Sequence, residues 1–437
     1  MRRKFFRQQF QLCFLAVGLG VTAAVVAKTL ILGINFFTNF FYFQKFSIHE
    51  ASPGQNTLGM WAIWVPVVGG VIVGFIARFG SAGIRGHGIP EAMEKILLND
   101  SRIQKRIAVL KPLSSAIAIG SGGPFGAEGP IIATGAALGS MLGRHGSFSG
   151  HDRKILLATG AAAGMSAIFG TPLAAVLLAI ELLLFEFRAL SFIPVALGAA
   201  TASMLRYLLF SDGPFFEISA LPDPRAVEFF IFAASGLIFG LVAVVCTKLV
   251  YAVEDLFEKI PIHWMWWPAL GGLGVGIIGI LEPRSLGVGY ANISGALMSQ
   301  FSVRAALGLL IWKLLSWVIA LGSGTSGGTL APLLTFGALS GFLLSRALDS
   351  SFPALGVNSE VFALIGMAAV FAGSSRSLLA SLVFALEATR QPLGIVPLLG
   401  ACSISYLVSH GLMKHSIMTE KIARRGVRVP HEYYPKD

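Results

Sequence analysis

The stretch Gly123-Pro124-Phe125-Gly126-Ala127-Glu128-Gly129-Pro130 places a carboxylate inside a long apolar, glycine-rich part of the chain. Glycines leave backbone N–H groups accessible, and proline suits the first turn of a helix, so this stretch predicts a helix start that could hold an anion. Because Glu128 already occupies the start, its carboxylate would compete with a negatively charged substrate for the same position.

The composition predicts an integral membrane protein. Of the 437 residues, 55% are hydrophobic and only 13% are charged, whereas a soluble domain carries about 25% charged residues. Six stretches have the length and apolarity of membrane spans: Leu12 to Phe36, Leu58 to Phe79, Phe229 to Val250, Trp266 to Leu281, Leu307 to Leu321 and Val396 to Leu412. Three further apolar stretches, 107–142, 155–186 and 332–388, are cut by Gly and Pro and predict half-helices and re-entrant segments.

The formal net charge of +11 is distributed as in a membrane protein. Basic residues form three clusters, before the first span, after the last span and between them: Arg2, Arg3, Lys4 and Arg7; Lys421, Arg424, Arg425 and Arg428; Lys95, Arg102, Lys105, Arg106 and Lys111. By the positive-inside rule all three clusters lie in the cytoplasm. We therefore expect a multi-pass protein of the cell membrane with both termini cytoplasmic, and no nucleic-acid partner.

A second glycine-rich run, from Gly324 to Pro332, repeats the first at one constant spacing. The matched pairs are Ser121 and Ser323, Gly122 and Gly324, Gly126 and Gly328, and Pro130 and Pro332. Glu181 and Glu387 recur at nearly the same spacing, so the chain looks internally duplicated, and such halves are commonly inverted in transporters. We expect a first membrane repeat over 1–210, a polar linker over 211–225, a second repeat over 226–418, and a short basic tail over 419–437 with no folded regulatory domain.

A third run, Gly86-His87-Gly88-Ile89-Pro90-Glu91, also predicts a glycine-rich turn that enters a helix. With three helix starts in one chain, several positive helix ends could converge on one desolvated anion without a fixed cation. Partial charges and N–H donors allow rapid release of a halide, which a Lys or Arg would hold too tightly.

These three runs, in this order and at this spacing, resemble the CLC family of chloride channels and proton/chloride exchangers. The family pattern Gly-Ser-Gly-Ile-Pro is similar to residues 86–90, Gly-Arg-Glu-Gly-Pro to 126–130, and Gly-x-Phe-x-Pro to 328–332. The resemblance covers nearly the whole membrane region. It implies an all-α fold of two inverted-topology repeats with many tilted, broken and re-entrant helices. It also implies a homodimer in the lipid bilayer, each subunit with its own anion pathway.

The resemblance also implies a site. Glu128 matches the external gating glutamate, the backbone N–H groups of Thr329 and Leu330 would hold the central anion, and Ile89 would lie at the inner end of the pathway. The candidate anion-binding residues are His87, Gly88, Ile89, Gly126, Ala127, Gly129, Gly328, Thr329, Leu330 and Met418.

The residues alone leave two interpretations of Glu128. A charged residue at mid-membrane costs roughly 2.5–3.5 kcal/mol on insertion scales, so such residues mostly line polar pathways. Ionised, Glu128 would occupy an anion position at the helix starts, and protonated it would swing out, which links anion entry to proton uptake. Alternatively the carboxylate simply caps a helix N-terminus. The resemblance favours the gate.

Several residues depart from the family pattern. His87 replaces a serine that commonly touches the central anion, so its imidazole could donate to an anion or pack away from it. Met418 takes the place of a tyrosine and offers no hydroxyl, and Ala127 replaces an arginine beside the gate.

The inner proton site is the least determined part of the pathway. Leu182 occupies the position of the exchangers' inner proton-accepting glutamate. Glu181, which has a matched partner in Glu387, is either structural or a proton carrier, and Glu186 is a candidate surrogate.

The favoured function is proton-coupled chloride exchange, in which chloride and protons are the substrates. A passive glutamate-gated chloride channel is the alternative, and the changes at 87, 127 and 418 leave nitrate or fluoride open as the anion. A membrane-embedded enzyme is disfavoured because the chain has no His-Glu-x-x-His, serine elbow or cysteine pair. Cys13, Cys246 and Cys402 lack metal-ligand spacing, so we expect no metal and no cofactor.

Overall fold

The computed structural model describes residues 2–98, 100–144, 148–210, 213–219, 221 and 226–429. These residues form seventeen α-helices with short 3₁₀ and π segments between them, and no strand occurs within the described ranges. Of the expected linker, residues 211, 212, 220 and 222–225 lie outside the description, as do residues 430–437 of the tail and the side chains of residues 2–5, 226, 227 and 393. The all-α architecture predicted from the sequence is confirmed, while the repeat boundaries stay a prediction.

The helices are α1 (Arg2–Phe43), α2 (Trp64–Phe75), α3 (Ile89–Leu98), α4 (Ile107–Gly120), α5 (Glu128–Arg144), α6 (Gly150–Phe169), α7 (Pro172–Ala179), α8 (Ala189–Leu209), α9 (Ala226–Glu258), α10 (Trp267–Leu281), α11 (Tyr290–Leu297), α12 (Val303–Gly322), α13 (Leu330–Ser351), α14 (Ser359–Ser375), α15 (Leu378–Thr389), α16 (Ile395–Leu412) and α17 (Glu420–Arg424). Eight helical stretches of the described chain are long and apolar enough to cross a membrane. The protein is therefore a multi-pass membrane protein.

Two of the eight spans were not predicted. Helix α8 is one of them and α13 is the other. Helix α13 lies mostly in the stretch 332–388, for which the sequence predicted interrupted segments. The glycines that interrupt α13 in sequence do not break it, because they allow close packing against α14. A Cβ added at Gly337 would lie 2.3 Å from Gly366 O, and one added at Gly341 would lie 2.0 Å from Phe362 O. The remaining apolar helices, such as α4, α7, α14 and α15, are shorter than a span, as predicted.

The two halves of the molecule make reciprocal contacts. A Cβ added at Gly70 would lie 2.3 Å from Pro268 O, and one added at Gly272 would lie 2.3 Å from Pro66 O. Such paired contacts are what a two-fold relation between halves produces, and they join α2 to α10.

The paired glutamates are reciprocal in the same way. Glu181 accepts hydrogen bonds from the backbone amides of Leu379 and Ala380 at the start of α15, both at 3.0 Å. Glu387 accepts from the amides of Leu173 and Ala174 at the start of α7, at 3.0 and 2.8 Å. Each carboxylate thus stabilises the first turn of the other half's helix.

Two buried lysines hold corresponding loops. Lys111 Nζ on α4 donates to Ile84 O at 2.8 Å and Gly86 O at 2.7 Å, just before α3. Lys313 Nζ on α12 donates to Ser285 O at 3.1 Å and Gly287 O at 3.2 Å, just before α11. Lys111 is only 1% exposed, so unlike a surface residue of a basic cluster it depends on these carbonyls. A buried ammonium requires hydrogen-bond acceptors, and here the loop carbonyls supply them.

Candidate functional site

The three glycine-rich runs meet in space. Gly126 N donates to Gly328 O at 3.2 Å, and Gly328 N donates to Gly126 O at 3.0 Å, so the first two runs form a short antiparallel bridge. Gly86 N donates to Thr325 O at 3.3 Å, which attaches the third run to the same place. The runs precede α5, α13 and α3, so three helix starts are gathered around one point.

Glycine is needed where these backbones touch. Gly88 has φ +97°, and a Cβ added there would lie 2.2 Å from Gly129 O. A Cβ added at Gly129 would lie 2.1 Å from His87 O and 2.8 Å from the Cα of Gly328. Because the blocking atoms are backbone, a side chain could fit only if a helix start moved.

Glu128 is the first residue of α5 and is fully buried. Its Oε1 accepts a hydrogen bond from the Tyr290 hydroxyl at 2.8 Å. The carboxylate also interacts with the backbone amides of Glu128 itself and of Ala331, in the first turn of α13. It therefore lies between the starts of two helices, where both positive helix ends act on it.

The other carboxylate oxygen, Oε2, is buried and has no hydrogen-bond partner of normal geometry among the described residues. It lies over Gly126, where an added Cβ would be 1.7 Å away, and an added Cβ at Gly328 would be 3.1 Å away. Oε2 therefore lies at the point where the runs of Gly126 and Gly328 cross.

The predicted anion ligands surround the same point. Leu330 begins α13 and Thr329 is its N-cap residue, and both are buried together with Ala127. The hydroxyl of Thr329 finds no hydrogen-bond partner in the described part of the chain. Ile89 begins α3 and is also buried. These predicted residues therefore lie together, and their role in anion binding stays a prediction.

His87 is 4% exposed, and its Nδ1 has no hydrogen-bond partner within the described ranges. The charges that act on its ring come from Glu91, Lys421 and Lys111. Glu91 Oε2 accepts a hydrogen bond from Gly88 N at 2.7 Å, so it fixes the turn that carries His87.

The two candidate inner acids have other partners. Glu181 is bound to the start of α15, as described above. Glu186 accepts a hydrogen bond from Ser191 Oγ at 2.7 Å and lies 3.6 Å from His151 Nε2. None of these contacts brings Glu181 or Glu186 to Glu128.

Met418 is fully buried, and the neighbouring Ile417 fixes its segment by two hydrogen bonds. The Ile417 carbonyl accepts from the Tyr251 hydroxyl at 2.8 Å, and the Ile417 amide donates to Ser374 O at 3.0 Å.

Tyr290 was missed by the sequence reasoning. The stretch Gly287-Val288-Gly289-Tyr290 matches Gly86-His87-Gly88-Ile89 at nearly the spacing of the other repeats. All four glycines have positive φ, at +91°, +97°, +67° and +79° in chain order. Extending the repeat to these glycines would have identified Tyr290 as the counterpart of a pathway residue.

A cavity of about 760 Å³ reaches the site at Gly88 and Ala133. Among the described residues that line it, seven are basic and four are acidic, so its walls are net positive. Both later basic clusters contribute to it, Lys95 and Arg102 from one, and Lys421, Arg424 and Arg425 from the other. Clusters that the charge rule assigned to one side of the membrane thus meet at one cavity.

A family described as "Voltage gated chloride channel" matches residues 69–410. A relative from Ralstonia nicotianae, "Putative chloride channel protein ClcB-like", is 27% identical over 374 residues, which cover 84% of this chain and 87% of the relative. "H(+)/Cl(-) exchange transporter ClcA" of Salmonella paratyphi B is 32% identical over 360 residues, covering 80% of this chain and 76% of the relative.

Solved structures share the fold. A slow cyanobacterial Cl⁻/H⁺ antiporter superposes with a TM-score of 0.86 at 22% identity, covering 95% of this chain and 97% of the other. A CLC-type fluoride/proton antiporter superposes with a TM-score of 0.76 at 23% identity, covering 94% and 97%. The predicted fold, two inverted repeats of tilted and broken helices, is confirmed by this agreement.

Proposed function

The chain belongs to the voltage-gated chloride channel family, and from that premise we propose that it exchanges chloride for protons across the cell membrane through a pathway gated by Glu128. The observation that carries the proposal is the Glu128 carboxylate, buried between the starts of α5 and α13 with one oxygen unpaired among the described residues. The similarity to a putative chloride channel protein and to an H(+)/Cl(-) exchange transporter supports chloride transport, and the similarity to the exchange transporter favours proton coupling.

The ionised carboxylate acts as an anion in its own pathway. Two positive helix ends and the Tyr290 hydroxyl stabilise it, and a chloride ion would need the same helix ends and the amides of Thr329 and Leu330. Chloride and the carboxylate therefore compete. Protonation removes the charge, the neutral side chain leaves, and chloride takes the position. Each cycle of the gate then moves a proton and admits chloride.

The basic cavity supplies the inner approach. Its net positive lining attracts chloride and raises the local anion concentration, because a concave low-dielectric wall focuses the field. The cavity reaches Gly88, whose amide is occupied by Glu91, so the anion would pass beside His87 to reach α13. His87 would then contact the anion through Nδ1, which has no hydrogen-bond partner within the described residues.

Glu181 is assigned a structural role, because both of its oxygens accept backbone amides at the start of α15. Protons from the inner side would instead travel through water in the cavity. As in the family, we expect a homodimer in the bilayer with a separate pathway in each subunit and both termini in the cytoplasm.

Passive chloride conduction is the second candidate. Leu182, which is buried and apolar, stands where exchangers often carry an inner acid. A channel would need only that Glu128 moves aside, with no obligatory proton transfer.

Purified protein in lipid vesicles separates the two. An outward chloride gradient should drive protons into the vesicles if exchange operates, and internal pH should fall as chloride leaves. Chloride efflux with unchanged internal pH would establish a channel. Parallel assays with fluoride and nitrate test the anion, and efflux of either that exceeds chloride efflux would overturn the chloride assignment.

A further inference from the structure

The Tyr290 hydroxyl is the one side-chain donor that binds Glu128 among the described residues. The two residues are 162 positions apart and belong to different halves of the chain. A hydrogen bond from a neutral hydroxyl to a carboxylate is stronger for the ionised form than for the protonated form, since the acceptor carries charge. Tyr290 is therefore placed to favour the seated, ionised gate.

The tyrosine ring is held by aromatic packing. Its centroid lies 6.1 Å from that of Phe169, 4.9 Å from that of Phe215 and 6.3 Å from that of Phe216, all in edge arrangements. Phe169 and Phe216 are buried. These rings leave the tyrosine little rotational freedom, so its hydroxyl is presented to Glu128 in one direction.

The backbone that carries Tyr290 is held as firmly. Tyr290 is the first residue of α11, and the loop before it is bound by Lys313 through the carbonyls of Ser285 and Gly287. A Cβ added at Gly289 would lie 2.7 Å from Lys313 Nζ. The buried lysine thus fixes the loop, the loop fixes α11, and α11 fixes the hydroxyl.

We propose that Tyr290 is a latch that holds the ionised Glu128 in the anion position until protonation releases it. The inference rests on the proposed function, since a latch has meaning only if Glu128 is the gate. Tyr290 does not carry the proton or contact the transported anion in this scheme. It is a positioning residue that sets how easily the gate leaves.

The direct test is Tyr290→Phe, which keeps the aromatic packing and removes the donor. The ionised gate loses a charge-assisted hydrogen bond, so at neutral pH chloride efflux should rise on the order of tenfold. Protonation of Glu128 should also occur at higher pH, which moves the pH of half-maximal efflux upward by about one unit. Vesicle efflux measured across a pH series gives both quantities.

Two controls distinguish a latch from a general structural effect. In a Glu128→Ala background, Tyr290→Phe should change neither the rate nor the pH dependence, because no carboxylate remains to be held. Tyr42→Phe removes another buried hydroxyl, which donates to Ser121 O at 3.1 Å, and it should leave the pH dependence of efflux unchanged.

A second variant guards against misfolding of Tyr290→Phe. Replacing Tyr290 by 3-fluorotyrosine strengthens the donor with almost no change in shape, so the pH of half-maximal efflux should move downward. An upward shift, or no shift in either variant, would overturn the latch.

The latch and the proposed function fail in distinguishable ways. Efflux and proton movement that survive Glu128→Ala unchanged would refute the gate itself. A gate that behaves as proposed, with a Tyr290→Phe shift that is absent or that persists in the Glu128→Ala background, would refute only the latch.

Discussion

Two loops of the molecule have the same backbone construction but different surroundings. The loop before α3 and the loop before α11 each contain two glycines with positive φ, and each is bound by a buried lysine, Lys111 or Lys313. The first loop borders the basic cavity at Gly88. The second ends at Tyr290, inside an aromatic cluster and bonded to Glu128.

The shared construction follows from the duplication, and the difference lies in the side chains that each loop carries. Backbone geometry is repeated because glycine φ and lysine–carbonyl bonds do not depend on the neighbouring side chains. The side chains then diverge, so that one loop borders a polar cavity and the other places the Tyr290 hydroxyl against Glu128.

The largest expected contrast concerns the second glycine of each loop. At Gly88 an added Cβ would meet Gly129 O at 2.2 Å, which is backbone, whereas at Gly289 it would meet the Lys313 ammonium at 2.7 Å, which belongs to a side chain. Gly88→Ala should therefore displace a helix start and reduce chloride efflux on the order of a hundredfold. Gly289→Ala should retain efflux and shift its pH dependence. Equal losses of chloride efflux in Gly88→Ala and Gly289→Ala would contradict the proposed difference between the two loops.

The next contrast concerns the two lysines. Lys111→Met and Lys313→Met each leave two loop carbonyls without their donor, and each should lower the free energy of unfolding by about 2–4 kcal/mol. Only Lys313→Met should also shift the pH dependence of efflux, because only its loop carries the latch. Denaturation in detergent measures the free energy of unfolding. A shift in the pH dependence of efflux in Lys111→Met would contradict the separate roles of the two loops.

A smaller effect is expected at Glu91, which binds Gly88 N in the first loop and has no acidic counterpart in the second. Glu91→Gln keeps an acceptor for that amide and removes a negative charge from the basic cavity. The chloride concentration for half-maximal efflux should fall on the order of threefold. A rise instead would show that the carboxylate does not repel the anion, and Glu258→Gln at the cavity wall serves as the matched charge control.

The smallest effect belongs to the cavity rim. Arg425 forms an ion pair with Glu94 at 2.5 Å, and its side chain is 52% exposed. Arg425→Ala should change the free energy of unfolding by less than about 1 kcal/mol, because water screens such a pair. Chloride efflux should weaken slightly at low salt and not at high salt. A large loss of stability would mean that the Arg425–Glu94 pair at the rim, and not the loop bound by Lys111, stabilises the structure around the cavity.

The features that local sequence determines were predictable. Glycines followed by a proline around Glu128 and Pro332 indicate helix starts, and their repeated spacing indicated that the starts belong to related halves. The convergence of the starts at one carboxylate followed from that repeat together with the family resemblance.

The features that depend on distant partners were not predictable. The sequence indicates only that Lys111 adds a positive charge to a basic cluster. Its hydrogen bonds to the carbonyls of Ile84 and Gly86 depend on the fold. Helix α13 seemed interrupted because its glycines lower hydropathy, although they improve packing against α14. The glycine repeat before Tyr290 marks it as the counterpart of Ile89, but its contact with Glu128 joins residues from both halves and no local pattern predicts that contact.

The central claim is that Glu128 is a removable anion and not a helix cap. Glu128→Gln keeps the size and hydrogen-bonding capacity of the side chain and removes its titration, and Glu181→Gln is the matched control at a helix start. Chloride efflux and internal pH should be recorded together in vesicles. The account predicts that Glu128→Gln abolishes proton movement and leaves chloride efflux, while Glu181→Gln retains both. Proton movement that persists in Glu128→Gln, or loss of both fluxes in a folded protein, would contradict it.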